Sequence, residues 1–384
     1  MRVLLRAPLL TQSGYGVHSR QIFEWLETLP GIDLTVEILQ WGTTTWLLNP
    51  DLQDGLIGRI MSKSRELTAP YDVTLQAQLP DEWDTKLGKF NIGISAYVET
   101  DKCSQKWVEC TNKMDAVIVP SNFTKNVVQS SGSVTTPIHV IPEWYNTQID
   151  ENIKSSFNFS KRFNFLMVGT VTSKNPNDDR KNILYGIKWF CEAFKDNKKV
   201  GLILKISYGK NTAIDRKITQ NMLENVLKEV RPGNFPKVTL LHGNLTQKEV
   251  AGLYKHSRIK CLLSPTRGEG YGLPLVEAAA SGLPIVATNW SGHLDFLEDK
   301  FIKVDYNLKN IDESRIDNRV FVEGTKWAEV IETSYKRAMI DACHNIEDHK
   351  KVANSLRLQI KNKYSKKQII SLYNDFFNSL KFKR

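Results

Sequence analysis

Cysteine is scarce in this chain and its spacing is irregular. Cys103, Cys110, Cys191, Cys261 and Cys343 are scattered through 384 residues, with no CxxC pair among them. An odd, dispersed set argues against a disulfide framework and offers no zinc-ligand spacing, so a reducing cytoplasm is the expected compartment. Long apolar runs are missing too, and none reaches the roughly 18 residues that suggest a membrane span. The opening MRVLLRAPLLTQSGYG lacks the form of a secretory leader, because Arg6 interrupts a short apolar run and no small-residue cleavage site follows. It reads as a first strand. There is no repeat of 20–50 residues and no low-complexity tract, which leaves out solenoids and disordered arrays.

What is present is the composition of a folded protein: 41% hydrophobic, 24% charged and 10% aromatic residues. The length favours two domains. Short β-branched runs such as RVLL, DLTVEIL, DAVIVP, FNFLMVG, VGLILKIS and LPIVAT alternate with helical periods such as HSRQIFEWLETL and NILYGIKWFCEAFKD. Strand–helix alternation predicts parallel sheets covered by helices, an α/β class with two Rossmann-like domains facing across a cleft. The polar stretch 146–163 is the expected linker. It separates a first domain over 1–155 from a second over 160–345, with a last helix near 365–384 expected to pack back on the first. Ligands of such sheets bind beyond the carboxyl ends of the strands.

The most informative stretch is SPTRGEGYGLPLVEAAASGLPIVAT, Ser264 to Thr288. A buried-type strand ends at Pro265, and three glycines in five residues then predict a tight loop rather than a helix. Pro274 suits a first helical turn and Gly282 a helix end. Strand, glycine loop, helix and strand therefore follow one another. Loop N–H groups and the positive end of the helix converge on one spot suited to a diphosphate. Glu277, one turn into the helix, can accept hydrogen bonds from vicinal sugar hydroxyls, and Glu269 on the loop can reach the next group along.

This stretch resembles the Glu-x7-Glu signature of the retaining glycosyltransferases of family 4, which have the GT-B fold. GTVTSKNPNDDRKN resembles the phosphate-contacting strand and loop of that family, and ISYGK, preceded by Lys205, LHGNLTQKEVAGLYKHSR and SGHLDFL follow in the expected order. GISAYVETDKCSQKWVEC resembles the core of an acceptor-side domain, with Glu99 where many members carry histidine and IPEWYN where IPHGVD is usual. The resemblance implies that Glu277 binds the nucleotide ribose. It implies that Glu269 and the backbone of Gly270, Tyr271, Gly272 and Leu273 hold the donor sugar and its phosphates. Arg180 and Lys181 would neutralise the departing diphosphate, and Gly14 and Gly16 would let the first domain's backbone approach it. Catalysis would fall to Glu269, Arg180, Lys181 and Glu99.

Two rival readings are weaker. SGYGVHS approaches a dinucleotide-binding GxGxxG, with Glu37 beyond it. However, APLLTQ separates it from its strand and Ser19 replaces the third glycine. Asp178 and Asp179 could suggest a metal, but the resemblance implies that basic residues and a helix end take its place, so no metal and no cofactor are expected beyond a UDP- or GDP-linked sugar donor. His18 could contact sugar or serve structure, and His139, His242 and His293 read as structural.

The implied activity is transfer of a sugar, with retention, to a hydroxyl acceptor. A glycan or lipid-linked glycan is the first choice. Hydroxymethylated bases in DNA, and a nucleotide-sugar epimerase of the same fold, are the alternatives. The acceptor choice rests on charge. The chain carries a formal +10, and +8 of this falls in the last 37 residues, where ten Lys/Arg face only Asp348 and Asp375. Such asymmetry predicts an anionic carrier, a membrane surface before a nucleic acid, and a peripheral membrane location.

Overall fold

The computed structural model describes residues 1–380. The chain divides into two compact units, the first comprising 1–144, 317–322 and the C-terminal segment from 366, the second 145–316 and 323–365. The passage from one to the other falls between Trp144 and Tyr145, before the polar stretch expected to be a linker. That stretch is not free. Ile149 and Phe159 are buried in the second unit's core, and Phe157 packs against it, so its polar residues flank apolar anchors.

The first unit holds six parallel strands: β1 (Arg2–Ala7), β2 (Asp33–Ile38), β3 (Tyr71–Ala77), β4 (Gly88–Ile94), β5 (Ala116–Val119) and β6 (Ile138–Val140). Their order is β2-β1-β3-β4-β5-β6, so the winding reverses between β1 and β3. The near-continuous apolar character of these strands suits burial on both faces. A helix over Gly14–Leu26 follows β1, capped by the Ser13 side chain, which accepts from the Gly16 N–H at 2.9 Å.

The last helix, Lys366–Ser379, belongs to this first unit. Ile369, Tyr373, Phe376 and Phe377 are its buried face. Tyr373 stacks on Trp25 with centroids 4.7 Å apart and bonds His18 Nε2 at 2.9 Å, while the Trp25 indole donates to Asn374 at 2.9 Å.

The second unit has β7 (Phe163–Thr170), β8 (Val200–Ser207), β9 (Lys237–His242), β10 (Ile259–Ser264), β11 (Ile285–Thr288) and β12 (Ile302–Val304), all parallel in the order β12-β11-β10-β7-β8-β9. Its winding reverses between β7 and β10. An antiparallel hairpin, β13 (Tyr306–Asn310) with β14 (Lys326–Val330), stands beside the sheet. Among the described residues no helix is long and apolar enough to cross a membrane.

The basic C-terminal region is less exposed electrostatically than its composition suggests. Lys350 pairs with Glu347 at 2.7 Å, Lys351 with Asp348 at 2.8 Å, Lys361 with Asp150 at 2.7 Å, Lys363 with Glu298 at 3.6 Å and Lys366 with Glu24 at 2.5 Å. Three of these acids lie far away in sequence, beyond the reach of a local charge count. Lys381, Lys383 and Arg384 lie outside the described residues.

Candidate active site

In the second unit the loops that follow β7 and β10 are the two at the winding reversal, where doubly wound sheets hold their ligands. Both carry the residues singled out by sequence. The first loop leads through Arg180 and Lys181 into the helix Ile183–Ala193, and the second carries Glu269 into the helix Leu273–Ser281. Gly272 caps that helix at φ +105° and Gly282 ends it at φ +77°, both in the left-handed region that favours glycine.

Lys181 Nζ meets Glu269 Oε1 and Oε2 at 2.6 and 2.7 Å, and an Arg180 guanidinium nitrogen lies 3.6 Å from Oε2. Arg180 also donates to the Gly268 carbonyl at 2.6 Å. Glu269 is buried. Burial alone would lift its carboxyl, but the charges of Lys181 and Arg180 outweigh it and hold the group at about 2. The sequence reading set the acid on the donor sugar and its phosphates and the cations on the departing diphosphate. The structure joins them in one cluster.

Glu277 is different. Burial lifts its carboxyl to about 7, against the opposing pull of the Tyr254 hydroxyl and the Asn146 backbone. The Tyr254 hydroxyl is itself buried and has no aligned hydrogen-bond partner among the described residues. Tyr271 turns its ring into the core, 5.2 Å from Phe296, so the ring is not offered to a ligand. Lys205 on β8 is buried, which lowers its pKa to about 8.

Several residues that organise the site escaped the sequence reading. Arg267 is 1% exposed. Its guanidinium forks onto Glu329 of β14 at 3.0 and 3.2 Å and donates to the carbonyls of Pro176 and Asp179 at 2.8 and 2.7 Å. Its backbone N–H donates to the Arg180 carbonyl at 2.8 Å. One side chain thus ties both loops to the hairpin. Ser291, at φ +92°, accepts the Glu269 N–H at 2.9 Å. A buried, locally strained serine is a common mark of a functional turn. Gly292 donates to the Glu269 carbonyl at 2.9 Å, and a Cβ there would lie 2.2 Å from the Gly270 oxygen. His293 donates from Nε2 to the Thr288 carbonyl at 2.8 Å, a structural role as expected.

Asp178 and Asp179 are engaged by protein donors. Asp179 accepts from the Thr172 N–H and hydroxyl at 3.2 and 2.7 Å and from the Ile183 N–H at 2.7 Å; Asp178 accepts from Ser314 at 2.9 and 3.0 Å.

The remaining expected residues, Gly14, Gly16 and Glu99, lie in the first unit. A Cβ on Gly16 would come within 2.1 Å of the Thr11 carbonyl, whereas one on Gly14 would meet nothing within 4 Å. Gly16 therefore has an internal packing reason that the sequence reading assigned to phosphate approach.

Residues 182–338 match the family described as glycosyl transferases group 1. A relative described as a probable sucrose-phosphate synthase, from Thermosipho melanesiensis, is 24% identical over 298 residues, or 74% of this chain. The chain spans 63% of that protein's length. Among solved structures, a sucrose-phosphate synthase from Thermosynechococcus elongatus superposes with a TM-score of 0.64 at 15% identity, covering 99% of this chain and all of that one. A structure described as trehalose-6-phosphate from E. coli bound with UDP-2-fluoro glucose gives 0.66 at 9% identity, with both chains fully covered. The chain thus carries a glycosyltransferase group 1 domain and has the GT-B fold.

Proposed function

We propose that the protein is a retaining glycosyltransferase that moves a sugar from a UDP- or GDP-linked donor to a hydroxyl acceptor on a glycan or lipid-linked glycan. One observation carries this reading: Arg180 and Lys181 converge on Glu269 in the loop that opens the Leu273–Ser281 helix. In the reaction the bond from the anomeric carbon to the diphosphate oxygen breaks, and its electron pair leaves with the nucleotide. Arg180, Lys181 and the positive helix end stabilise that growing charge. Glu269, held ionised, faces the positive charge developing on the sugar. The acceptor oxygen bonds the anomeric carbon on the face the diphosphate leaves, and its proton passes to the departing phosphate. Glu277 receives the ribose hydroxyls.

A group of fixed cations makes a divalent metal unnecessary, so activity should persist in EDTA. The E. coli neighbour's bound UDP-sugar analogue supports a uridine donor. Lys367, which pairs with no acid among the described residues, would face an anionic carrier, and a peripheral place at the cytoplasmic face of a membrane belongs to the same proposal.

A thermal-shift panel of UDP-, GDP- and ADP-sugars tests the donor. A donor present at about 100 times its Kd adds about 2.7 kcal/mol of stability. Glu277→Ala should weaken that donor by about 1.5–3 kcal/mol. No shift with any of the three would refute the reading.

A further inference from the structure

The amino edge of the second unit's sheet, opposite its donor loops, is basic and unpaired. Strands β10, β7, β8 and β9 are neighbours and run parallel, so the segments that enter them share one edge. Arg258 precedes β10, Lys161 and Arg162 precede β7, Lys198 and Lys199 precede β8, and Lys237 opens β9. Lys161 is half-buried and the other five are exposed. None of the six pairs with an acid among the described residues. Asp196 is the one acid in the entering segments 160–162, 195–199, 231–236 and 256–258, and it pairs with none of them. Lys161 and Lys198 lie against the same ring, their ammonium nitrogens 4.8 and 5.9 Å from the Phe235 centroid. Lys237 Nζ donates to the Ser160 hydroxyl at 3.3 Å, and an Arg258 guanidinium nitrogen donates to the Phe159 carbonyl. These partners are neutral, so they hold the side chains without cancelling their charge.

Neighbouring strands lie about 4.8 Å apart, so the four starts span about 15 Å. Each cation therefore stands within about one Debye length, about 8 Å at physiological salt, of the next, and their fields add. Such crowding of like charge works against the compact state. The C-terminal lysines avoid it: Lys350, Lys351 and Lys361 each meet an acid at 2.7–2.8 Å.

We propose that this amino edge is a docking surface for an anionic lipid bilayer. The inference deepens the peripheral location proposed above and rests on that reading, but it uses no residue of the donor site. A bilayer offers continuous negative charge and needs only a group of about 4–8 Lys/Arg at one level to hold a protein to it. A single-stranded nucleic acid gains affinity by stacking bases on open aromatic faces, and the ring at this edge, Phe235, is already taken by two ammonium groups. A duplex is read by a helix or a two-stranded ribbon that enters a groove, whereas these charges stand on the starts of packed sheet strands. β7 and β8 are 8 residues long and β9 and β10 are 6. A chain docked this way holds its donor loops about 20–25 Å above the lipid. An acceptor hydroxyl at that height belongs to a glycan chain rather than to a lipid headgroup.

The test is co-sedimentation of the full chain with vesicles of phosphatidylcholine alone and of an equal mixture with phosphatidylglycerol. The chain should sediment with the mixture and not with phosphatidylcholine, and raising NaCl from about 0.1 M to about 0.5 M should release it. Lys198→Gln/Lys199→Gln/Lys237→Gln should weaken partitioning about 100-fold. Lys350→Gln/Lys351→Gln/Lys361→Gln removes the same formal charge from paired sites and should weaken it by about 3-fold or less. Both variants change exposed or half-exposed side chains and should keep the wild-type melting temperature. Equal sedimentation with neutral vesicles, no sedimentation with the anionic mixture, equal losses in the two triple variants, or tighter binding to duplex or single-stranded DNA than to the mixture would each overturn the proposal. A UDP-sugar thermal shift of the wild-type chain without vesicle binding sinks this surface alone, and vesicle binding without any such shift sinks the donor reading alone.

Discussion

The two six-stranded sheets are built on the same parallel plan, yet their carboxyl edges carry opposite chemistry. At the reversal between β7 and β10, Arg180 and Lys181 converge on the Glu269 carboxylate at a helix N-terminus, with buried Arg267 forked onto Glu329. In the first unit Tyr15, after β1, stacks on Trp41, after β2. The strand plan determines where a ligand site can form. The loops determine what it recognises. One edge is organised by desolvated positive charge, which suits a diphosphate, and the other by stacked aromatic surface.

The sharpest way to break this contrast is Arg267→Met. It leaves Glu329 without its fork and two loop carbonyls without donors, and stability should fall by about 3–5 kcal/mol in urea denaturation. Arg267→Lys should rescue little, because an ammonium cannot reproduce the planar fork. If Arg267→Met melts like wild type, the donor edge is not held together by buried charge.

Next in size is Lys181→Ala. Loss of one preorganised cation should lower kcat with the preferred nucleotide sugar about 100- to 1,000-fold, read by nucleotide release in steady-state assays. A change confined to KM would recast Lys181 as a ground-state binder.

A smaller effect is expected on the aromatic side. Tyr373→Phe removes the hydroxyl that bonds His18 Nε2, a histidine kept neutral by burial, its pKa lowered to about 4. Stability should drop by about 1–3 kcal/mol, with the UDP-induced thermal shift preserved. A lost UDP response would show that the two edges are not chemically independent.

The smallest effect is a pH slope. Glu277 has a folded pKa near 7, above its ordinary 4.5, so the native state binds protons that the unfolded chain has released. Its stabilising contribution is full below 4.5 and disappears as pH rises through 7. Glu277→Gln should flatten the wild-type decline of Tm between pH 4.5 and 7. An unchanged slope would mean that solvent reaches this carboxyl more freely than its burial implies.

Much of the second unit was legible in the sequence because its signals are local. Glycines at 268, 270 and 272, Pro274 and the small residues 278–281 lie within 14 residues, and they specify loop, helix and packing without reference to the rest of the fold. Lys181 and Glu269 could each be nominated, but their pairing across 88 residues is a product of β7 lying beside β10. Arg267 was read as a loop residue because nothing nearby announces Glu329, 62 positions later. The same blindness applied to the basic C-terminal region, whose partners Glu24, Asp150 and Glu298 are distant in sequence. Trp41 drew no early assignment, since an isolated tryptophan carries no pattern until the fold stacks it on Tyr15.

The return of the Lys366–Ser379 helix to the first unit has a consequence for biosynthesis. Chains are made from the N-terminus at about 5–20 residues per second, and domains tend to fold as they emerge. Here the second unit, ending at Ser365, is complete in the nascent chain before Tyr373 and Phe376 are polymerised. The first unit, though synthesised earliest, must wait with the Trp25 flank of its opening helix uncovered until its final helix arrives. Order of synthesis and order of completion are therefore reversed.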